Sequence, residues 1–495
     1  MSKFFSVFRR NWFAIEAVPL YAVVGVAVVG AGWYTTRLAT RPDIIWTKGN
    51  PTPWNSVQQN ENIKLMSGNH QFEKSSVSLL LSMVDLTEVT ELYIPPPIDD
   101  VPDNEEDHPI SGISVPIVGA QQLPYIIYGT GTFANQYNED SFLNSDAPLR
   151  AVRLALRYGI RAFDTAPYYG SSEIILGAIL RSLSGTYPRT SYKLITKAGR
   201  YPGPNGGTFD YNPKTIRNSV LRSLSRLGTD HLDVTYMHDV EYVATRVPEG
   251  STTGDHLKAL EQPDRWGLAK GDEGKIWGDG DAQVLEAIRE LFKMKNEGKI
   301  GNVGITGYPL PTLLRIAILV LHQPPYQPLD VVLSYSHHTL QNDIFEAYVS
   351  HFIERGKVGQ LIAASPFSMG LLTANHPSWH PASPALLEAK SQALAFCKDW
   401  EGGLPDVALG YHLRQKEGVM HDIPRVIGMS NVAEVHAAMK AWDRIRTNVD
   451  VEARTAREQG IVNLFKDAGF YGYSWQSPPC HDTYVLALQT WGPSK

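Results

Sequence analysis

Eight short apolar runs, each followed by helical or loop-forming sequence, constrain this chain more than any other feature. They are "LPYIIYGTG", "IRAFDTA", "YKLITKAG", "HLDVTYMHD", "IGNVGITG", "LDVVLSYSH", "QLIAASPF" and "IPRVIGMS". Between them lie amphipathic stretches such as "DAPLRAVRLALRYG", "KTIRNSVLRSLSRLG" and "AQVLEAIRELFKMKNEGK". The short runs read as strands and the stretches between them as helices. Strand and helix in alternation argue for parallel βαβ units. Eight such units predict an α/β fold of the (β/α)8 TIM-barrel type over residues 113–495. A doubly wound dinucleotide domain is disfavoured. "YGTGTFA" has two glycines, lacks the third at the needed spacing, and opens no clear helix.

Two zones precede this one. Residues 1–65 contain "AVPLYAVVGVAVVGAGWY", Ala17 to Tyr34, in which every residue except Pro19 is apolar or Gly. Arg9 and Arg10 precede it, Arg37 and Arg41 follow it, and Trp12, Trp33 and Tyr34 sit where interfacial aromatics would. A secretory signal would want a small-residue cleavage site, and bulky "WYTTR" follows instead. A buried core helix fits the length. The flanks favour a single transmembrane helix through residues 17–34, with positive charge on both sides leaving its orientation open. Residues 66–112 end in "PPPIDDVPDNEEDHP". Repelling carboxylates and stiff prolines predict a flexible or extended linker, with a surface loop of the next domain as the alternative.

The net charge of −6, with no basic run carrying interleaved aromatics, argues against a nucleic-acid partner. Two cysteines, Cys397 and Cys480, exclude a disulfide scaffold and a cysteine-rich zinc site. His337 and His338 are adjacent, so on a strand they point to opposite sides. His376 and His380 lie among prolines, where helical ligand spacing is not expected. No metal is predicted.

In a barrel of this kind the chemistry gathers at the carboxyl ends of the strands. The second run ends in Asp164, with Tyr169 just beyond it; the third ends in Lys197 and the fourth in His238. Each has an ordinary reading: a helix N-cap, a packing ring, a solvated loop cation, a satisfied structural histidine. Together on three successive strand ends they make a proton-handling set. A nearby ammonium favours the phenolate of a tyrosine, an aspartate holds the ammonium, and a histidine orients a substrate oxygen. The segment from about Thr245 to Asp281 is long and rich in Gly and Asp, as a lid, a substrate loop or a tolerated insertion would be.

Two resemblances add to this reading. "FDTAPYYGSSE", "ITKAGR" and "YMHDVE" resemble the Asp, Tyr-Gly, Lys and His motifs of the aldo-keto reductase superfamily, with Tyr169 in the catalytic slot because it precedes Gly170. "FANQYN", "GITGYPL", "LSYSHHTL" and "ASPFSMGLLT" are similar to its NAD-linked aldose 1-dehydrogenases of the D-arabinose and L-galactose type. The likeness covers about residues 120–445. It implies oxidation of a cyclic sugar at C1 to an aldonolactone, with Tyr169 as base and with Lys197, Asp164 and His238 around it. It also implies cofactor contacts at Ser365, Phe367, Met369 and Leu371, and after the eighth strand at Ser430, Asn431 and Glu434. Where NADP-binding relatives place Lys and Arg, "GMSNVAEVHAAM" has none before Lys440, so NAD is expected over NADP. The usual nicotinamide-stacking tyrosine slot holds Ala364, which leaves Phe367 as the candidate cover.

The second resemblance is N-terminal. Roughly residues 8–65, with one span, a following Arg, "RPDIIW" and a Pro-Trp-Asn, are similar to the MLRQ-type single-span subunits of mitochondrial respiratory complexes. This implies the mitochondrial inner membrane and contact with a respiratory complex. A fused chain and a merger of two neighbouring genes both fit, and without the N-terminal segment the barrel is expected in the cytoplasm. Alternatives to sugar oxidation are an NADPH-dependent carbonyl reductase, a respiratory accessory subunit with an incidental barrel, and a cofactor-sensing regulatory barrel.

Overall fold

The structure of this protein, a computed structural model, describes residues 101–477 apart from 204–206, 249, 251–252 and 417, together with the helical positions Val24, Val28 and Ala31. The chain divides into two compact units, Met1–Val84 and Asp85–Lys495. The expected span apart from Val24, Val28 and Ala31, the linker up to residue 100 and Cys480 lie outside the described residues. Among the described residues no helix is long and apolar enough to cross a membrane.

Eight strands close a barrel: β1 (Ile126–Gly129), β2 (Ala162–Asp164), β3 (Lys193–Ala198), β4 (Leu232–Met237), β5 (Ile300–Gly307), β6 (Val331–Tyr335), β7 (Gln360–Ala364) and β8 (Arg425–Gly428). Every neighbouring pair is parallel, and each strand lies beside its neighbours in sequence. All eight apolar runs contain one of these strands. Parallel neighbours need crossovers, and helices supply them. These are α1 (Ala147–Arg157), α2 (Ser172–Ser182), α3 (Pro213–Leu227), α4 (Asp279–Asn296), α5 (Leu310–Leu321), α6 (Phe345–Glu354), and α7 (Pro384–Phe396) with α8 (Gly403–Leu413) between β7 and β8; α9 (Val432–Arg446) follows β8. A last helix, α10 (Val451–Asp467), packs on α7 and α8.

Local chemistry sets the helix limits. α3 starts with Pro213 behind Asn212, whose side chain accepts from Lys214 N at 2.9 Å. It stops at Gly228, which takes φ 65°. Inside the barrel, Ile127, Ala162, Ile195, Val234, Val331, Leu333, Ile362 and Val426 form an apolar plug. A larger apolar layer lies between strands and helices. The plug leaves polar chemistry only the rims.

The linker expectation fails over residues 101–112. Val101 is buried, and the acidic run docks on the barrel. Asp103 pairs with Arg153 and Arg157 at 3.0 and 2.7 Å, Glu106 with Arg150 at 2.8 Å, and Asp107 with Arg150 and Arg153 at 3.0 and 3.3 Å. Arg150, Arg153 and Arg157 share one face of α1. Their cations cancel the repulsion that would have extended the acidic run. The backbone joins in: Ile110 N donates to the Tyr158 hydroxyl, and the Glu106 carbonyl lies 2.7 Å from His436 Nε2.

The long segment between β4 and α4 is also anchored. Asp281 is fully buried; it accepts from Thr245 N and Trp277 N, and from both terminal nitrogens of Arg315. Gly254–Asp255 pairs antiparallel with Tyr473–Ser474, so this segment and the chain beyond α10 hold one another.

Asp107 has no exposed surface and serves two arginines and Asn104 N. Asp107→Asn leaves those cations short of charge, at a cost of about 3 kcal/mol. Urea unfolding of the full chain is expected to show a lower midpoint with an unchanged slope; an unchanged midpoint would show that the docking adds nothing to stability.

Candidate active site

The second crossover begins at Asp164, the last residue of β2. Thr165 N stays on the sheet, donating to Ile195 O. Pro167–Tyr169 make one 3-10 turn, and Gly170 follows at φ 59°, ψ −117°, a conformation that only glycine adopts cheaply. The reversal sends the chain into α2 and leaves Tyr169 on the rim. Lys197 is the penultimate residue of β3, and Gly199 at φ 100° turns the chain away directly after the strand. His238 follows β4, its N donating to Ala198 O. Sequence placed these four residues on three strand ends, and the structure brings them together at one mouth.

The centre of the group is an ion pair. Lys197 Nζ donates to Asp164 Oδ1 at 2.5 Å and to Thr165 O at 2.9 Å. Lys197 is 2 % and Asp164 4 % exposed, so water screens the pair little. The same ammonium lies 4.8 Å from the Tyr169 ring centroid, and its charge acts on the phenol. His238 meets Tyr169 edge-on, ring centroids 5.8 Å apart. Asp164 is thus a counter-ion and not a helix cap.

The adjacent tyrosines part company here. Tyr168 lies under Arg200, whose guanidinium carbon is 3.8 Å from its ring centroid. Of the two, Tyr169 is the ring beside Lys197.

The electrostatics differ from the sequence expectation in one respect. Burial pushes the Tyr169 phenol above its ordinary range, and the Lys197 cation only partly opposes this. The cation is visible in the sequence and the depth of burial is not. Burial alone would depress Lys197, but Asp164 and Tyr169 outweigh it and the ammonium is held above its usual range. Burial, helped by the charges of Lys197 and Arg200, holds His238 well below the usual imidazole range. His238 is therefore neutral near pH 7, and its Nδ1 is buried without a partner.

With this geometry in place, comparison with known proteins is informative. Residues 125–453 match the Aldo/keto reductase family. The chain belongs to that family. It is 31 % identical to D-arabinose 1-dehydrogenase of Saccharomyces cerevisiae over 73 % of this chain and 95 % of that protein. It is 36 % identical to L-galactose dehydrogenase of Arabidopsis thaliana over 66 % of this chain and 88 % of that protein. Residues 12–63 match the NADH-ubiquinone reductase complex 1 MLRQ subunit. A segment of 58 residues, 12 % of the chain, is 38 % identical to the human cytochrome c oxidase subunit NDUFA4 and covers 72 % of it. This aldo/keto reductase is therefore an oxidoreductase, and the family works with nicotinamide cofactors.

The expected cofactor contacts fall into three kinds. Ser365 begins the turn after β7 at φ 64°, and its hydroxyl accepts from Met369 N at 2.8 Å. Phe367 and Met369 are half-buried on this turn, whereas the Leu371 side chain is wholly buried in the apolar cluster under α7. At the start of α9, Asn431 caps the helix by accepting from Glu434 N, and Glu434 accepts from Ser430 N at 2.6 Å and from Asn431 Nδ2 at 3.2 Å. Both carboxylate oxygens thus serve the turn that caps this helix, a role the sequence reading did not give them.

The two histidine pairs serve the fold. His337 and His338 lie beyond β6 and still diverge, one toward Ser334 and Ser474, the other to Asp343 at 2.6 Å. His380 Nε2 meets Ser368 O, and His376 meets Lys390.

Sequence reasoning quoted Arg200, Asp239 and Glu241 without giving them a role. Arg200 is enclosed by the rings of Tyr168, Phe209 and Tyr242 and pairs with Asp239. Glu241 accepts from Tyr308 N and the Ser477 hydroxyl, and burial, then repulsion by Asp239, pushes it up to about 8. Their signal was present: each stands within three residues of Lys197 or His238.

A histidine-selective NMR titration of the unliganded protein tests the electrostatics. The His238 signals, assigned with His238→Gln, are expected to show no protonation from about pH 8 down to about pH 6. A midpoint inside that window would contradict the buried, cation-flanked environment.

Proposed function

We propose that this chain oxidises the C1 hydroxyl of a cyclic aldose to the aldonolactone. The observation that carries the reading is the buried Lys197–Asp164 pair beneath Tyr169 and opposite a neutral His238. The aldose dehydrogenases among its relatives, at 31 and 36 % identity, support the substrate class.

The residues present suit a nicotinamide nucleotide. Ala364 ends β7 with only a methyl, and Phe367 beside it is half-buried and available to cover a ring. The N-terminus of α9, with Ser430 and Asn431, suits the distal part of a nucleotide. No Lys or Arg lies between Gly428 and Met439, and the Glu434 charge there opposes an added phosphate, which supports NAD over NADP. When bound, the oxidised nicotinamide accepts hydride from the sugar and brings positive charge.

The protein's own groups handle the proton. His238 donates to the C1 oxygen and fixes its direction. Tyr169 takes the proton of the C1 hydroxyl as general base. Lys197, kept charged by Asp164, stabilises the phenolate that must form first. Because burial works against that phenolate, oxidation is expected to quicken as pH rises above neutrality. The raised phenol favours a second reading too: protonated Tyr169 is an acid, as reduction of a carbonyl with NADPH requires.

The test is turnover by the purified full chain with a panel of pentoses and hexoses, using NAD or NADP. At least one aldose is expected to be oxidised, with the higher kcat/KM for NAD, and Tyr169→Phe is expected to abolish turnover while nucleotide still binds. Failure to oxidise any aldose, alongside brisk NADPH-dependent carbonyl reduction, would replace this reading with the second.

A further inference from the structure

The chain leaves β4 through His238 and then takes a strained step. Asp239 has φ 53° and ψ 62°, the left-handed region, where a residue with a side chain costs energy unless its surroundings demand it. Asp239 is also 2 % exposed. Its Oδ2 pairs with Arg200 and lies 3.7 Å from His238 Nε2. Its Oδ1 has no hydrogen-bond partner.

Asp164 Oδ2 and Glu241 Oε2 on this rim are also buried without a partner, but neither residue has the left-handed backbone of Asp239. Asp107 and Asp281, equally buried, engage both carboxylate oxygens. A buried carboxylate oxygen without a donor is costly. Asp239 has little freedom to relieve the cost. Its partner Arg200 is fixed over the Tyr168 ring, with Phe209 and Tyr242 at 5.3 and 5.2 Å. Glu241, two residues on, ties Tyr308 to Ser477 and so serves the rim. Among the described residues, Asp239 alone joins a left-handed backbone, an immobilised carboxylate and an unfilled oxygen next to His238.

We propose that Asp239 Oδ1 accepts a hydrogen bond from the C2 hydroxyl of the substrate, making Asp239 a specificity-determining residue. This rests on the aldose reading. His238 addresses the C1 oxygen, so a fixed acceptor beside that imidazole meets the neighbouring carbon's hydroxyl first. A carboxylate suits this role, because it only accepts when ionised and a hydroxyl is a donor it can desolvate against. Arg200 keeps it from turning away.

A site built to bind a hydroxyl rejects the analogue that lacks it, because the buried acceptor is then left alone. The wild-type full chain is therefore expected to turn over the 2-deoxy analogue of its best aldose with kcat/KM lower by roughly 10- to 100-fold. The 3-deoxy analogue is expected to suffer less. Asp239→Asn is expected to narrow the gap by slowing the parent sugar and not the 2-deoxy analogue, with nucleotide affinity unchanged. If that variant does not fold, Arg200→Met with Asp239→Asn, which leaves no unpaired buried charge, carries the same expectation. Equal turnover of parent and 2-deoxy sugar by wild type, or an equal loss on both in the variant, would overturn the role of Asp239 and leave the aldose reading standing. No turnover of any aldose would overturn both.

Discussion

The Lys197–Asp164 pair is the interaction on which the proposed chemistry depends. Two ions taken out of water lose hydration worth several kcal/mol each, and they recover it only with close geometry and further hydrogen bonds. The 2.5 Å contact and the Thr165 carbonyl supply both. That geometry needs β2 and β3 side by side, with Asp164 opposite Ile195 two residues before the lysine. The closed barrel holds this register from both sides. The pair in turn gives Tyr169 a fixed cation, which partly opposes the effect of burial on its phenol, and adds to the burial that keeps His238 neutral.

The rim is held from outside as firmly as from within. Asp281 and Arg315 fasten the segment after β4, and its short strand pairs with Tyr473–Ser474 from beyond α10. Tyr308 donates nothing to Trp475 but accepts its backbone N–H, and their rings stack at 4.6 Å. At the other edge, residues 101–110 dock on α1 and α9. These ties join parts of the chain far apart in sequence. They make the mouth a built cavity edge and not a set of loose loops.

Much of the barrel was legible because periodicity is local. Each apolar run held its strand, and "KTIRNSVLRSLSRLG" held α3 almost to the residue, with Asn212 and Gly228 marking its ends. The meeting of Asp164, Tyr169, Lys197 and His238 was legible because strand ends in such a barrel share one face. What escaped depended on distance. The pairing of Gly254–Asp255 with Tyr473–Ser474 spans two-residue strands, too short for any pattern. The acidic run before Pro109 read as a linker because its three arginines stand more than forty residues away. The Tyr169 phenol was expected to fall because the cation was visible and the burial was not. Glu434 read as a cofactor contact, and its use as a cap became visible only with Ser430 N at 2.6 Å. The match of residues 12–63 to a respiratory subunit concerns a part of the chain outside the described residues.

The account stands on the Lys197 cation as the group that makes a buried phenolate attainable. Lys197→Met keeps much of the side-chain volume and removes the charge. The pH profile of aldose oxidation by this variant, set beside that of the wild type, is the most direct measurement. The account predicts a fall in kcat by roughly 100- to 10,000-fold and a rise with pH displaced toward more alkaline values. An unchanged profile with an unchanged kcat would contradict it.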